Sequence, residues 1–400
     1  MFMWKNKNMW VLMVGIFGAE MGMWLGLIGN LEFLQRNVSS SFIQSLILII
    51  GVVSGFVSGP FIGNMIDSLN KKLALFIAGV IRILGILSML LVIGFNSIIW
   101  MLISMVLIGV AASFYFPGIQ AIIPLISDNE EDLMQANALQ MNIMTLARII
   151  GTALAGILLL LISLKEIYMY SLIAYIILLL STFFLKFEEN RNDEKNSKKT
   201  NRNKFREIFP VIKSKPMVFQ SLILSVIPFI FISSFNLIVI EISNIQSNPS
   251  IKGLLYTVEG LSVIITGLLV QYLVKKHNIM KAIILSCMLI VISYTLLFFT
   301  KIEFLPFIAF FLFGVSFGLF MPLSATLYQK QISGKLHGRF FSFKRVYETG
   351  IGQISLLTIG LGLDLLGLPN LMIVLGMFSL ILVTYVVLVS FMKNKKKRKK

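Results

Sequence analysis

The sequence predicts an all-α membrane protein with twelve transmembrane helices arranged as two six-helix pseudo-repeats. Three observations carry that expectation. About a dozen apolar stretches, each near twenty residues, are separated by short polar breaks. As a helix, such a stretch crosses the roughly 30 Å hydrocarbon core of a bilayer, where only helices and closed barrels satisfy their own backbone. Hydrophobic residues make up 57% of the 400 and charged residues 13%, with a mean hydropathy of +0.89. That composition lies outside the range of soluble domains. Finally, positive charge falls on alternate breaks.

The 35 Lys and Arg against 18 Asp and Glu give a formal charge of +17. Their distribution, however, excludes a nucleic-acid partner. With the N-terminus in the cytoplasm, the inner side receives Lys5, Lys7, Lys71, Lys72, the basic run from Lys186 to Lys215, and Lys275, Lys276 and Lys281. It also receives the run from Lys330 to Arg345 and the tail from Lys393 to Lys400. Only Arg36, Lys165, Lys252 and Lys301 fall outside, and Arg82 and Arg148 lie within spans. The positive-inside rule then places both termini in the cytoplasm of a cell that carries the chain in its plasma membrane. The basic tail reads as a topology anchor that touches anionic headgroups. The first apolar run continues past twenty residues without a small-residue cleavage site and reads as a retained span. The single cysteine, Cys287, lies within a span, which excludes disulfides and a cysteine metal cluster.

Spans are predicted over Trp10–Gly29, Phe42–Ile66, Leu73–Gly94, Ile98–Ile119, Leu139–Ser163 and Ile167–Leu185, then Met217–Ser243, Gly253–Val274, Lys281–Thr300, Phe304–Tyr328, Phe341–Gly362 and Leu371–Met392. Residues 1–185 thus form one six-helix bundle and 217–392 another, with 393–400 as a tail. Between them, 186–216 is rich in Asn, Lys, Glu and Arg, lacks apolar periodicity until Phe205, and reads as a cytoplasmic linker.

The halves read as repeats. Gly63 precedes Lys71-Lys72 by eight residues, as Gly267 precedes Lys275-Lys276; Gly109 precedes Pro117 by eight, as Gly314 precedes Pro322. The offsets are 204 and 205 residues. Two parallel six-helix repeats about an axis along the membrane normal describe a transporter architecture with a substrate site between halves near the midplane.

Here the residues resemble a family. FYFPGIQAIIPLI from Phe114 and DLMQANALQMNIMTLARIIGTALAG from Asp132 look like the fourth and fifth spans of the major facilitator superfamily. HGRFFSFKRVYETGIGQ from His337 is similar to the corresponding second-half segment of its macrolide-efflux and enterobactin-exporter branch. The family's turn after the second span runs Gly-x-x-x-Asp-Arg-x-Gly-Arg. Here Gly63 and Asp67 stand, Ser68 replaces the Arg, Asn70 replaces the Gly, and Lys71 keeps the last positive charge. Thr152 follows Gly151 where the family has Pro, and the fourth span lacks the basic residue of many proton-coupled members. The resemblance implies a monomeric, proton-coupled exporter of amphipathic small molecules, an antiporter of the multidrug type, with no cofactor. It also implies that the turn holding Asp67 and Lys71 is a conformational latch.

A charge at the centre of a span costs about 2.5–3.5 kcal/mol on insertion scales, so each needs a reason. Glu20 sits mid-way along the first span. Gly18, Gly22 and Gly26 form a small-residue stripe on the other side of that helix, suited to close packing. Phe17 and Trp24, at minus three and plus four, share the Glu20 face, and a carboxylate framed by aromatics suits a cationic or apolar ligand and the exchange of a proton. The alternative is a Glu held for packing alone. Arg148 is the expected counter-ion, as a switch or as a static staple; Arg82, on a span peripheral in this fold, reads as structural. Glu348, three residues after Arg345, is either an intrahelical pair or a proton carrier. Glu259 and Glu241, close to the outer surface, read as solvated helix ends or as an outer gate. Asn142, Asn236 and Gln353 are candidate substrate donors or helix–helix glue. Pro117 and Pro322 read as paired bending elements.

Neither His277 nor His337 lies in a span or a His-Glu-x-x-His motif, and no phosphate-binding Gly-x-x-x-x-Gly-Lys-Ser/Thr loop appears, so neither metal hydrolysis nor ATP use is expected. One charge crossing about 100 mV supplies ~2.3 kcal/mol, so an ion gradient suffices as an energy source. The same fold also admits an uptake symporter. A non-transporting immunity or scaffold protein is the rival from another class, and an intramembrane enzyme lacks a visible catalytic set.

Overall fold

The computed structural model describes residues 6–95, 97–127, 129–186, 208–274 and 279–398. Among them every regular element is a helix: α1 (Lys7–Asn37), α2 (Ser41–Ser68), α3 (Lys71–Phe95), α4 (Ile98–Leu125), α5 (Glu130–Leu161), α6 (Leu164–Phe184), α7 (Ile208–Ser214), α8 (Pro216–Gln246), α9 (Ile251–Val274), α10 (Ile279–Phe298), α11 (Leu305–Gln331) and α12 (Gly334–Arg398). Eleven are long and apolar enough to cross a membrane; α7, with 7 residues, is not. The apolar part of α12 runs 52 residues, Arg339–Ser390, roughly 78 Å of helix and more than twice a bilayer core. It breaks at Gly367 (φ 70, ψ 164). That φ suits glycine, and Pro369 two residues on cannot donate to the preceding turn. The two arms of α12 bring the crossings to twelve.

Helix boundaries follow from side chains that satisfy free backbone groups. Asn6 caps α1, and Asn129 caps α5, whose first turn sets Glu130, Glu131 and Asp132 against the positive end of the helix. Ser163 and Glu166 form a reciprocal capping box on α6. Asn70, standing where the family turn has Gly, accepts hydrogen bonds from the Lys72 and Leu73 amides at 2.9 and 3.3 Å and so caps α3. The stretch read as a linker differs from expectation at its end: Ile208 and Ile212, one turn apart, are buried and turn it into α7. The rest of that linker, Lys275, Lys276, His277 and the side chains of Asp67 and the basic tail lie outside the described residues.

The chain divides into two compact units: residues 1–39, 43–198 and 252–254, and residues 40–42, 199–251 and 255–400. In the first, α1 packs on α5 and α6, and α3 packs on α4 and α6. The glycine stripe is what lets α1 approach α6: Gly15, Gly18, Gly22 and Gly29 lie directly against Ser181, Ala174, Tyr175 and Tyr168. In the second, α12 packs on α8 and α10, and α11 on α10 and α8.

Each unit contains the same small joint. Ser54 donates back to the Gly51 carbonyl (2.9 Å), and Gly109 of α4 lies against that turn with no room for a Cβ. Ser262 donates back to the Glu259 carbonyl (2.7 Å), and Gly314 of α11 lies against that turn in the same way. The glycines are the repeat-related pair, so the repeat is physical: a close helix crossing that only glycine permits. Both α4 and α11 run unbroken through Pro117 and Pro322, which are exposed. Large apolar side chains remain exposed along many helices, Phe61, Leu161 and Leu365 among them. In a soluble protein such surface is a liability; on spanning helices it meets lipid.

Candidate proton and substrate site

Glu20 is 2% exposed and points into the interior of the first unit. The charge that acts on it is Arg82 of α3, and the Tyr115 hydroxyl of α4 stands beside it. Arg82, also 2% exposed, donates from Nη1 to the Ala19 carbonyl at 3.1 Å. Its guanidinium carbon lies 3.9 Å from the Tyr115 ring centroid and 5.4 Å from that of Tyr175 on α6. Four helices therefore converge on one carboxylate and one guanidinium, walled by two buried tyrosines. Yet Glu20 Oε1, Arg82 Nε and the Tyr115 hydroxyl have no hydrogen-bond partner among the described residues. Partly satisfied polar groups in a low-dielectric interior are costly, so this cluster stores a preference for a proton or a rearrangement.

This corrects the expected pairing. The counter-ion of Glu20 is Arg82, not Arg148; the Arg148 guanidinium carbon sits 5.2 Å from the Trp24 ring centroid instead. Phe17 faces an outer apolar cavity between α1, α5 and α6. Three-residue spacing places two side chains about 60° apart, enough for a helix packed on several sides to send them to different neighbours. The face of α3 that bears Arg82 is marked by the small residues Ala78, Gly79 and Gly85, a signal available in the sequence.

In the second unit, Glu348 pairs with Lys344 one turn earlier, Nζ lying 2.6 and 2.7 Å from its two oxygens, and not with Arg345. The Lys344 ammonium also lies 5.9 Å from the ring centroids of Phe229 and Tyr328. Asn236 accepts a hydrogen bond from Tyr256. Gln353 is half-buried with Oε1 unpartnered among the described residues. Its neighbour Gly352 packs on Ser233, one turn before Asn236, so Gln353 and Asn236 flank one α8–α12 seam. Asn142 is exposed on α5. Glu259, read as a solvated end, is 1% exposed. Its depth follows from its place two turns inside α9. Gly63 and Lys71 stand at the end of α2 and the start of α3, where Lys71 Nζ donates to the Leu69 carbonyl at 3.4 Å.

Three residues at helix ends, of which the sequence singles out neither Glu32 nor Asp364, make contacts that spacing along one helix does not show. Glu32, in the last turns of α1, holds Lys252 at 2.7 Å and Arg36 at 2.5 Å. Lys252, expected on the outer side just before a span, is 0% exposed. It opens α9, and Gly253 beside it leaves no space for a Cβ against Thr152 and Gly156 of α5. Asp364 of α12 accepts from the Ser40 hydroxyl and the Ser41 and Phe42 amides at 2.6, 2.6 and 3.1 Å. All three lie beyond or at the edge of twenty-residue spans. The missed signal was the i,i+4 spacing of Glu32 and Arg36. Among the described residues no cluster of three His, Cys, Asp or Glu could hold a metal ion.

A family model described as Major Facilitator Superfamily matches residues 11–354. No curated protein matches this chain in sequence. Among solved structures, a mutant of the nucleoside transporter NupG is 15% identical with a TM-score of 0.75, covering 95% of this chain and 99% of its own. A bacterial homologue of the iron transporter ferroportin in an inward-facing state is 13% identical with a TM-score of 0.72, covering 95% and 98%. A bacterial homologue of the lysosomal transporter Spinster is 13% identical with a TM-score of 0.71, covering 96% of each chain. At such identities the likeness concerns the fold.

Proposed function

The chain belongs to the major facilitator superfamily, and on that premise we propose that it is a proton-coupled exporter of amphipathic small molecules, acting by alternating access as a monomer in the plasma membrane with both termini cytoplasmic. It is a transporter and not an enzyme. The observation that carries the coupling is the Glu20–Arg82–Tyr115 cluster: an acid enclosed by spans, opposed by one cation, with an oxygen left unpartnered among the described residues. An intramembrane ionisable group in such a setting is a functional-site candidate by default, and a proton relay is the role this cluster fits. Protonation of Glu20 cancels its attraction to Arg82 and frees α1 to shift against α3. Reprotonation and deprotonation from opposite sides then bias the two conformations in turn. In the second half, Glu348 with Lys344 and the Gln353–Asn236 seam supply polar groups for a substrate or a second proton, and the Asp67–Lys71 turn serves as the latch.

The resemblance to macrolide and siderophore exporters selects the cargo class to test first. Cells that express the chain should accumulate several-fold less of a macrolide or a fluorescent lipophilic cation than cells without it, and a protonophore should erase the difference. Equal or greater accumulation in expressing cells would remove the export reading.

A further inference from the structure

We propose that the first unit carries a lipid site, in which one acyl chain of an anionic phospholipid lies in a trough along α1 and its headgroup rests on Lys7 and Lys186. Three apolar cavities, of 410, 360 and 210 Å³, run into one another. Ile177 lines the first and second, Phe17 the first and third, and Trp10 and Val14 the second and third. Together they extend along α1 from Trp10 to Leu25, a rise of roughly 22 Å. One leaflet of hydrocarbon is about half of the ~30 Å core, so the trough is long enough for a whole acyl chain. Its floor is low because Gly18 and Ala174 line it; its walls are high because Ile173, Leu180 and Phe184 stand 54%, 53% and 61% exposed. Apolar cavities of this kind do not hold water. On spanning helices, hydrocarbon fills them.

The mouth of the trough decides which hydrocarbon. Asn8 and Lys186 exchange two hydrogen bonds, Asn8 Nδ2 to the Lys186 carbonyl at 2.5 Å and the Lys186 amide to Asn8 Oδ1 at 3.0 Å. This fixes Lys186 beside Lys7 at the end of the trough that Trp10 and Phe184 close. Both lysines are exposed, and neither ammonium has a partner among the described residues. The carbonyls that end α6 are already taken, since Lys72 Nζ donates to Phe183 and Leu185 at 2.8 and 2.7 Å. The first turns of α1 and α3 carry no acid. Two free cations above an apolar channel, with Trp10 at the boundary, match a phosphate above an acyl chain. The inference takes from the proposed function only the leaflet, the inner one.

The test equilibrates the detergent-extracted chain with equal amounts of phosphatidylglycerol and phosphatidylcholine and counts retained lipid by native mass spectrometry. The wild type should retain phosphatidylglycerol several-fold over phosphatidylcholine. Lys7→Gln/Lys186→Gln should bring that ratio to about one, and Ile177→Trp, which fills the trough, should lower retention of both lipids. Equal retention of the two lipids by the wild type, or full retention by Ile177→Trp, would overturn the site. The readout involves no transport, so either proposal can fail while the other stands.

Discussion

Arg82→Met is expected to destabilise the first unit by about 3–5 kcal/mol at neutral pH, the usual loss when a buried charge is stranded without the opposite charge that acts on it. Glu20 would keep its burial and lose the cation that acts on it among the described residues. The same substitution removes the guanidinium from the Tyr115 face, 3.9 Å away, and from the Ala19 carbonyl. Glu20→Gln/Arg82→Met should recover most of the loss, because a neutral pair leaves no stranded charge. Thermal unfolding of the four proteins in detergent gives the coupling directly. The Arg82→Met penalty should shrink at acid pH, where a lone carboxyl takes up a proton instead of remaining ionised. Additive single effects with no recovery in the double variant would show that the two groups do not act on one another.

Glu32→Gln should cost about as much, ~3–5 kcal/mol, and far more than Lys252→Met. The asymmetry follows from exposure. Removing the acid takes the carboxylate 2.7 Å from an ammonium that water does not reach. Removing the lysine leaves Glu32 with Arg36, whose side chain is 56% exposed and keeps the carboxylate paired. Melting curves of the two variants, side by side, check the order. Equal penalties would mean that Lys252 is held by its other contacts rather than by Glu32.

The membrane class and the repeat were legible because both depend on period and length. A run of twenty apolar residues has few alternatives, and the pairs Gly109–Pro117 and Gly314–Pro322 mark a crossing that sterics force to recur. Contacts were legible only as far as one helix reaches. Spacing along α1 predicted that the glycine stripe and Glu20 lie on different sides, and they do. It had no means of naming the helix opposite Glu20, and so chose Arg148, on the span with the stronger family resemblance, over Arg82. Helix ends were the other blind spot. Spans trimmed to bilayer length left Lys252 just outside a span and passed over Glu32 and Asp364, whereas helices of 31 residues such as α1 and α8 carry polar ends into packed positions.

Transport driven by a pH gradient in sealed vesicles, wild type against Glu20→Gln and Glu20→Gln/Arg82→Met, probes the central claim most directly. Each variant is first shown to insert and to exchange a macrolide or lipophilic cation down its own gradient. The account predicts that both variants keep this exchange and lose accumulation against the gradient at every pH tried. A folded variant of either kind that accumulates the probe with the pH profile of the wild type would contradict it.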